Sequence, residues 1–206
     1  MRMRIDPARQ AERNWRVREL ARDFVLIDLW EVPLAAGRGG FLDFHRLATG
    51  VGARGNGGTE LLMRLRAMLG RWFGWDEANG SLPIPGCTET SVAERLTDED
   101  RQRDRAREEK AVANFRPIYL FDDESLQEIS NKTIHALLHL SWMGGDPPVA
   151  RLAIYVKHRG AASKLYMALI KPFRRCIVYP AIFRRIRRAW EERYTRPRDP
   201  RASGTV

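Results

Sequence analysis

Between Arg116 and Arg159 the chain reads as a run of short β-type segments parted by turns, and from Ala161 to Tyr194 it reads as one long helical stripe. RPIYLF (116–121), SLQEIS (125–130), TIHALLHLSW (133–142) and ARLAIYVKHR (150–159) have strand length, and GGDPP (144–148) supplies the last turn. Leu165, Leu169, Phe173, Ile177, Ile182, Ile186 and Trp190 recur at helical spacing after them. Pro172 and Pro180 interrupt that stripe and are expected to kink or segment the helix, with Leu169 and Phe173 facing the sheet. An earlier run, FVLIDLWEVPL (24–34), is a further strand, ended by Pro33 and the turn-forming Gly37–Gly40. The order is strand, helices, β meander, long helix, which is an α+β architecture built on an antiparallel sheet.

The rest of the chain is less patterned. Residues 7–22 are Arg-rich with sparse apolar positions and are expected to form a surface helical arm. Phe41–Thr49 suits a short helix, and Thr59 caps a clearer one in TELLMRLRAMLGRWFGW. Residues 79–90 read as loop, and 96–111 as a highly charged, solvated helix or a mobile insertion. This divides the chain into an arm (1–22), one domain (23–194) carrying the insertion, and a basic tail (195–206) disordered by composition. With 206 residues, 44% of them hydrophobic, one core of good size can form.

The net charge of +10 is uneven: residues 171–201 hold eleven Lys/Arg against three acids, which leaves about +2 for everything else. Cys87 and Cys176 have no zinc or disulfide spacing, so a reducing cytoplasm is the expected location. The charged N-terminus lacks a signal-peptide core, and no apolar run approaches the roughly 20 residues that span a bilayer.

Chemistry concentrates on NKTIHALLHLSW, where His135 and His139 stand four residues apart. On a helix this spacing suggests a zinc site, but Ala136 replaces the glutamate that the protease motif requires. On a strand, four residues advance about 13 Å, too far for two imidazoles to share one metal. No metal and no cofactor are therefore expected. A two-residue turn at Asn131–Lys132 would place Glu128 opposite His135 and Glu124 opposite His139, all on one sheet face. Two Glu–His pairs are a general acid/base apparatus, and His135, His139, Glu128 and Glu124 are the candidate catalytic residues. The competing reading makes that face the solvated side of the sheet, because Ile129, Ile134, Ala136, Leu138, Leu140 and Trp142 form the other.

Two motifs mislead. Gly50-Val51-Gly52-Ala53-Arg54-Gly55 matches a dinucleotide fingerprint, with Asp76 downstream, but no hydrophobic strand precedes it, so a flexible loop is expected. Cys87 in PIPGCTET has no base near it in sequence, and no G-x-S-x-G elbow occurs.

NKTIHALLHLSW, RLAIYVKHRG and KLYMALIKPFRRCIVYPAIFRRI together resemble an uncharacterised bacterial family of domains of unknown function. That family is placed with the START-like helix-grip (SRPBCC) superfamily, and its members also occur fused behind short-chain-dehydrogenase-like NAD(P)-binding domains. The resemblance runs roughly from Trp15 to Trp190 and is weakest across 79–111. It implies a curved antiparallel sheet wrapped around the long C-terminal helix, with an apolar cavity between them for a small hydrophobic or aromatic molecule. Trp30, Trp72, Trp142, Tyr155, Tyr166 and Phe173 are the residues expected to line it. Catalysis there would be metal-free proton transfer, as in a cyclase or isomerase. Beyond the small molecule, the partner expected is at most a second copy of the chain, and nucleic acid is disfavoured by the absence of a ribonucleoprotein motif. The alternative function is a binding module that lays its basic helix, IFRRIRRAWEERY, on an anionic membrane or nucleic acid.

Overall fold

The computed structural model describes residues 3–53, 90–105, 115–130 and 134–195, and not the side chain of Tyr166. Trp72, Cys87, the helix expected after Thr59, the Asn131–Lys132 turn and the tail from 196 lie outside the described residues.

Five strands form one antiparallel sheet: β1 (Val25–Pro33), β2 (Arg116–Leu120), β3 (Glu124–Ser130), β4 (Ile134–Gly144) and β5 (Val149–His158). Their spatial order is β1-β5-β4-β3-β2, so β2 to β5 are a meander and β1 closes onto β5. The outer edge of β1 is covered by Met3–Ile5, with Ile5 N donating to Leu29 O and Glu31 N to Met3 O.

The β3–β4 register differs from the expected one by two residues. Ser130 pairs with His135, Glu128 with Leu137, and Leu126 with His139. A two-residue slip preserves the face on which every side chain points, whereas a slip of one reverses it. The pairing of residues therefore changes while the composition of each face does not.

Both faces are covered, which overturns the expectation of a solvated side. On the face carrying His135, Leu137 and His139 lies the N-terminal arm: a 3-10 turn (Pro7–Glu12), Trp15 and the one-turn α1 (Val17–Leu20). The arm is not wholly solvated: Gln10, Trp15, Val17, Leu20 and Ala21 are buried. Trp15, Val17, Leu20 and Phe24 pack against Leu126, Leu137, Ala153 and Tyr155. The buried Arg151 guanidinium ties the arm down, donating to Glu12 Oε2 at 2.6 Å, Glu31 Oε1 at 2.9 Å and Arg9 O at 2.8 Å. Residues of the charged insertion join this layer. A 3-10 turn (Val92–Arg95) precedes α3 (Asp98–Arg103), which begins with a capping box between Thr97 and Asp100.

The opposite face packs on α2 (Phe41–Ala53) and the C-terminal helical element. Gly50–Ala53, expected as loop, are the last turn of α2. The C-terminal element runs as α4 (Gly160–Phe173), a π-helical turn (Arg174–Val178), α5 (Tyr179–Trp190) and a second π-helical turn (Glu191–Thr195). Each proline lacks an N–H for its helical bond, and the wider turn lies between Pro172 and Pro180. Asp28, fully buried beside a β1 bulge, locks this turn to the sheet through Arg174 Nη2 at 2.8 Å and Arg175 Nε at 2.7 Å. Further along, Phe183, Ile186 and Trp190 fill the core with Trp30, Phe44 and Leu140. Leu169 and Phe173 do not face the sheet: they are 51% and 36% exposed, while Met167 and Ile170 make that contact. The helix enters the sheet interface at 167, 170, 174 and 178, a stripe rotated from the one that apolar spacing selects.

Candidate functional site

His135 and His139 lie on one strand and one face, and each meets the glutamate expected for it. His135 Nε2 donates to Glu128 Oε1 at 2.6 Å, and His139 Nε2 to Glu124 Oε2 at 2.9 Å. With the observed register these contacts run diagonally across the β3–β4 ladder rather than directly opposite, within reach of long side chains. All four side chains are buried, His139 completely.

The two pairs differ in what surrounds them. Glu128 also accepts from Ser91 Oγ at 2.6 Å and from Val92 N at 2.9 Å, and Phe24 stands edge-on to His135 at 4.8 Å. Burial pushes the Glu128 carboxyl upward, but the bonds from His135, Ser91 and Val92 outweigh it, and the net shift is downward. This pair fastens the 3-10 turn at Val92 onto the sheet.

Glu124 belongs to a longer chain of contacts. Its Oε1 accepts from Arg16 N at 2.8 Å, and its Oε2 from the Tyr119 hydroxyl at 2.8 Å as well as from His139. Desolvation is again outweighed, by His139, the Arg16 amide and Tyr119, so the carboxylate is held below its ordinary range. Burial and the Glu124 charge in turn raise the Tyr119 hydroxyl. The second ring nitrogen of His139 faces Gln10 Nε2 at 3.1 Å. With Gln10 donating, the ring is neutral; with the amide turned over, Oε1 would accept and suit an imidazolium. Beside them the Tyr155 hydroxyl is pushed up to about 12 by burial, with Gln10 lowering it, yet neither that hydroxyl nor Gln10 Oε1 closes a hydrogen bond of standard geometry among the described residues.

Glu124 is also where the network reaches space. A cleft of about 700 Å³ opens between the arm, α3 and the β2–β3 turn, lined among others by Arg13, Trp15, Asp100, Arg103, Asp123 and Glu124. Arg16 shapes one wall: its guanidinium donates to Asp100 Oδ2 at 3.0 and 2.8 Å while its backbone holds Glu124. Arg13 sits 5.6 Å over the Trp15 ring and Arg103 4.7 Å over Phe121. Burial, then the neighbouring Glu124, raises the Asp123 carboxyl. The buried indole N–H of Trp15 has no hydrogen-bond partner among the described residues. His135, His139 and Glu128 do not line this cleft.

The expected ligand-lining residues are not gathered in one place. Tyr155 is on the histidine face, whereas Trp30 and Trp142 are on the other, where Trp30 packs on Tyr179 and Phe183 and Trp142 on Phe44 and Trp190. Phe173 is at the surface. Apart from Glu124, the cleft residues escaped sequence reasoning because the arm reads as solvated. Two signals were available: the spacing of Trp15, Val17 and Leu20, and the Thr97-to-Asp100 capping pattern that marks 96–111 as ordered at its start. Among the described residues no group of three or more His, Cys, Asp or Glu is placed to hold a metal ion, and no helix is long and apolar enough to cross a membrane.

No curated protein and no solved structure matches the chain. A family model does, over residues 20–181, which takes in all five strands, His135, Glu128 and most of the C-terminal helix. It leaves out Gln10, Trp15 and Arg16, the arm residues around His139 and Glu124. On that match the chain belongs to the family of proteins of unknown function DUF2867.

Proposed function

We propose that this protein is a helix-grip-type domain that binds a small, flat, polar metabolite in the cleft between the arm, α3 and the β2–β3 turn. An antiparallel sheet followed by a long C-terminal helix packed across one face supports the helix-grip reading. The sheet–helix interface, where such domains hold apolar ligands, is occupied here by Trp30, Phe44, Tyr179, Phe183 and Trp190. The observation that carries the proposal is that the cleft ends on Glu124, which is wired to the fully buried His139. Trp15 offers an aromatic wall, and Arg13, Arg103, Asp123 and Glu99 offer charges of both signs. An aromatic or heteroaromatic ring bearing polar substituents suits that lining better than a lipid chain.

If a reaction occurs, Glu124 is the group that touches the substrate and His139 positions it. A carboxylate held below its ordinary pKa is a poor base, so the resting geometry favours binding. Proton transfer of the cyclase or isomerase kind requires the ligand to displace the Arg16 or Tyr119 contact and raise that pKa. The test is a thermal-shift screen of polar aromatic metabolites against the wild type, Asn14→Trp, which fills the cleft mouth, and Glu124→Gln. Stabilising compounds whose effect vanishes in both variants support the site. Compounds that stabilise all three proteins equally place binding elsewhere and refute it.

A further inference from the structure

The C-terminal element carries a surface that the cleft does not use. Leu165, Leu169, Phe173 and Ile177 are 66%, 51%, 36% and 39% exposed, and they recur every four residues along α4 and into the π-helical turn. In a regular α-helix four residues overshoot one turn, so such a series drifts around the axis. The wider turn after Phe173 offsets that drift and brings Ile177 back toward the line of Leu165 and Leu169. The result is a continuous apolar ridge about 18 Å long. A protein that exposes large aliphatic side chains in a row has something to cover them.

Charge says what. From Gly160 to Trp190 the sequence has eight Lys/Arg and no Asp or Glu. Arg174 and Arg175 are committed to the buried Asp28 and Arg188 pairs with Glu192, while Lys164, Lys171 and Arg184 are exposed. A second copy docked on this ridge in two-fold fashion would bring two acid-free, basic helices together, which like-charge repulsion opposes. A nucleic acid would satisfy the cations but leave the leucines in water. An anionic lipid surface satisfies both, with aliphatic side chains entering the acyl boundary and Lys/Arg at the headgroups. The apolar face of α5 is already spent on the core, so the ridge on α4 is the part able to insert. We propose that this chain is a peripheral membrane-binding protein that docks on anionic bilayers through Leu165, Leu169, Phe173 and Ile177, flanked by Lys164 and Lys171.

The experiment is co-sedimentation of the full chain with phosphatidylcholine vesicles, with and without phosphatidylglycerol, at low and high salt. Expected is binding that requires phosphatidylglycerol and weakens with salt. It falls about tenfold or more in Leu165→Asn/Leu169→Asn and in Lys164→Glu/Lys171→Glu, and is unchanged in Val25→Asn, an exposed apolar control on β1. No binding to the anionic vesicles, or equal binding by the ridge variants, overturns the proposal. So does a concentration-dependent dimer abolished by Leu165→Asn/Leu169→Asn, because a second copy then covers the ridge. Loss of folding in that variant, read by circular dichroism, also overturns it, since the chain's own residues would be the cover. Duplex DNA or RNA that binds the wild type when the anionic vesicles do not assigns the surface to phosphate alone, with the same consequence.

Discussion

At the scale of single residues, face parity in the sheet is robust and register is not. Glu124, Glu128, His135 and His139 share a face under any slip of an even number of residues, so their encounter was readable from the period-2 pattern. Which rungs they occupy depends on the turn, and Asn131–Lys132 is too weak a turn signal to fix it. Burial was not readable at all, because the cover over this face comes from residues 7–22 and 91–100, with Arg16 108 positions from Glu124 and Ser91 37 positions from Glu128. Burial changes the energetics. Exposed Glu–His pairs contribute at most about 1 kcal/mol, but removing one partner of a buried, hydrogen-bonded pair leaves the other stranded. Glu128→Ala strands His135 Nε2, Ser91 Oγ and Val92 N together and should cost about 3–5 kcal/mol in urea unfolding, whatever its effect on ligands. A loss below about 1 kcal/mol would mean that the pair is solvated.

At the scale of elements, strand and helix types were legible from length, β-branching and period, and the Pro172/Pro180 segmentation from backbone chemistry. The buried stripe of the C-terminal helix was not. Leu165, Leu169 and Phe173 form as good an apolar series as Met167, Ile170 and Val178, and periodicity cannot say which of two apolar faces meets the sheet. The Asp28 salt bridges to Arg174 and Arg175 decide it by fixing the rotation of the helix, and nothing local in the sequence announces that pairing. Phe183→Ala should accordingly cost about 3–5 kcal/mol and Phe173→Ala under about 1 kcal/mol, measured by the same denaturation series. The far end of the element is seated by a close approach. An added Cβ on Gly39 would collide with the Trp190 indole, whose N–H donates to Ala35 O at 2.9 Å. Gly39→Ala should therefore destabilise by about 1–3 kcal/mol through overpacking, and Gly40→Ala, with open space around it, should not.

At the scale of the whole molecule, the arm-side layer is held by carboxylates and the helix-side layer chiefly by apolar packing, so acid should separate them. Glu124 accepts from the Arg16 backbone, Asp100 from the Arg16 guanidinium, and Glu128 from Ser91 and Val92, so each crosses from the arm or the 91–100 segment to its support. All three folded pKa values lie below the unfolded references of 4.5 for Glu and 3.8 for Asp. A lowered folded pKa means that the unfolded state takes up protons first as pH falls. The contribution of these groups is thus fully present above the unfolded values and declines as pH drops from there toward the lowered folded ones. Hydrogen exchange should show residues 7–22 and 91–100 losing protection below about pH 4.5 while β4, β5 and α5 remain protected. Glu124→Gln, which cannot titrate, should shrink the pH dependence of the arm without altering that of the 91–100 segment, which Glu128 anchors. Loss of protection in arm and sheet along one common pH curve would show that the layers unfold together, and that no separate carboxylate-held layer exists.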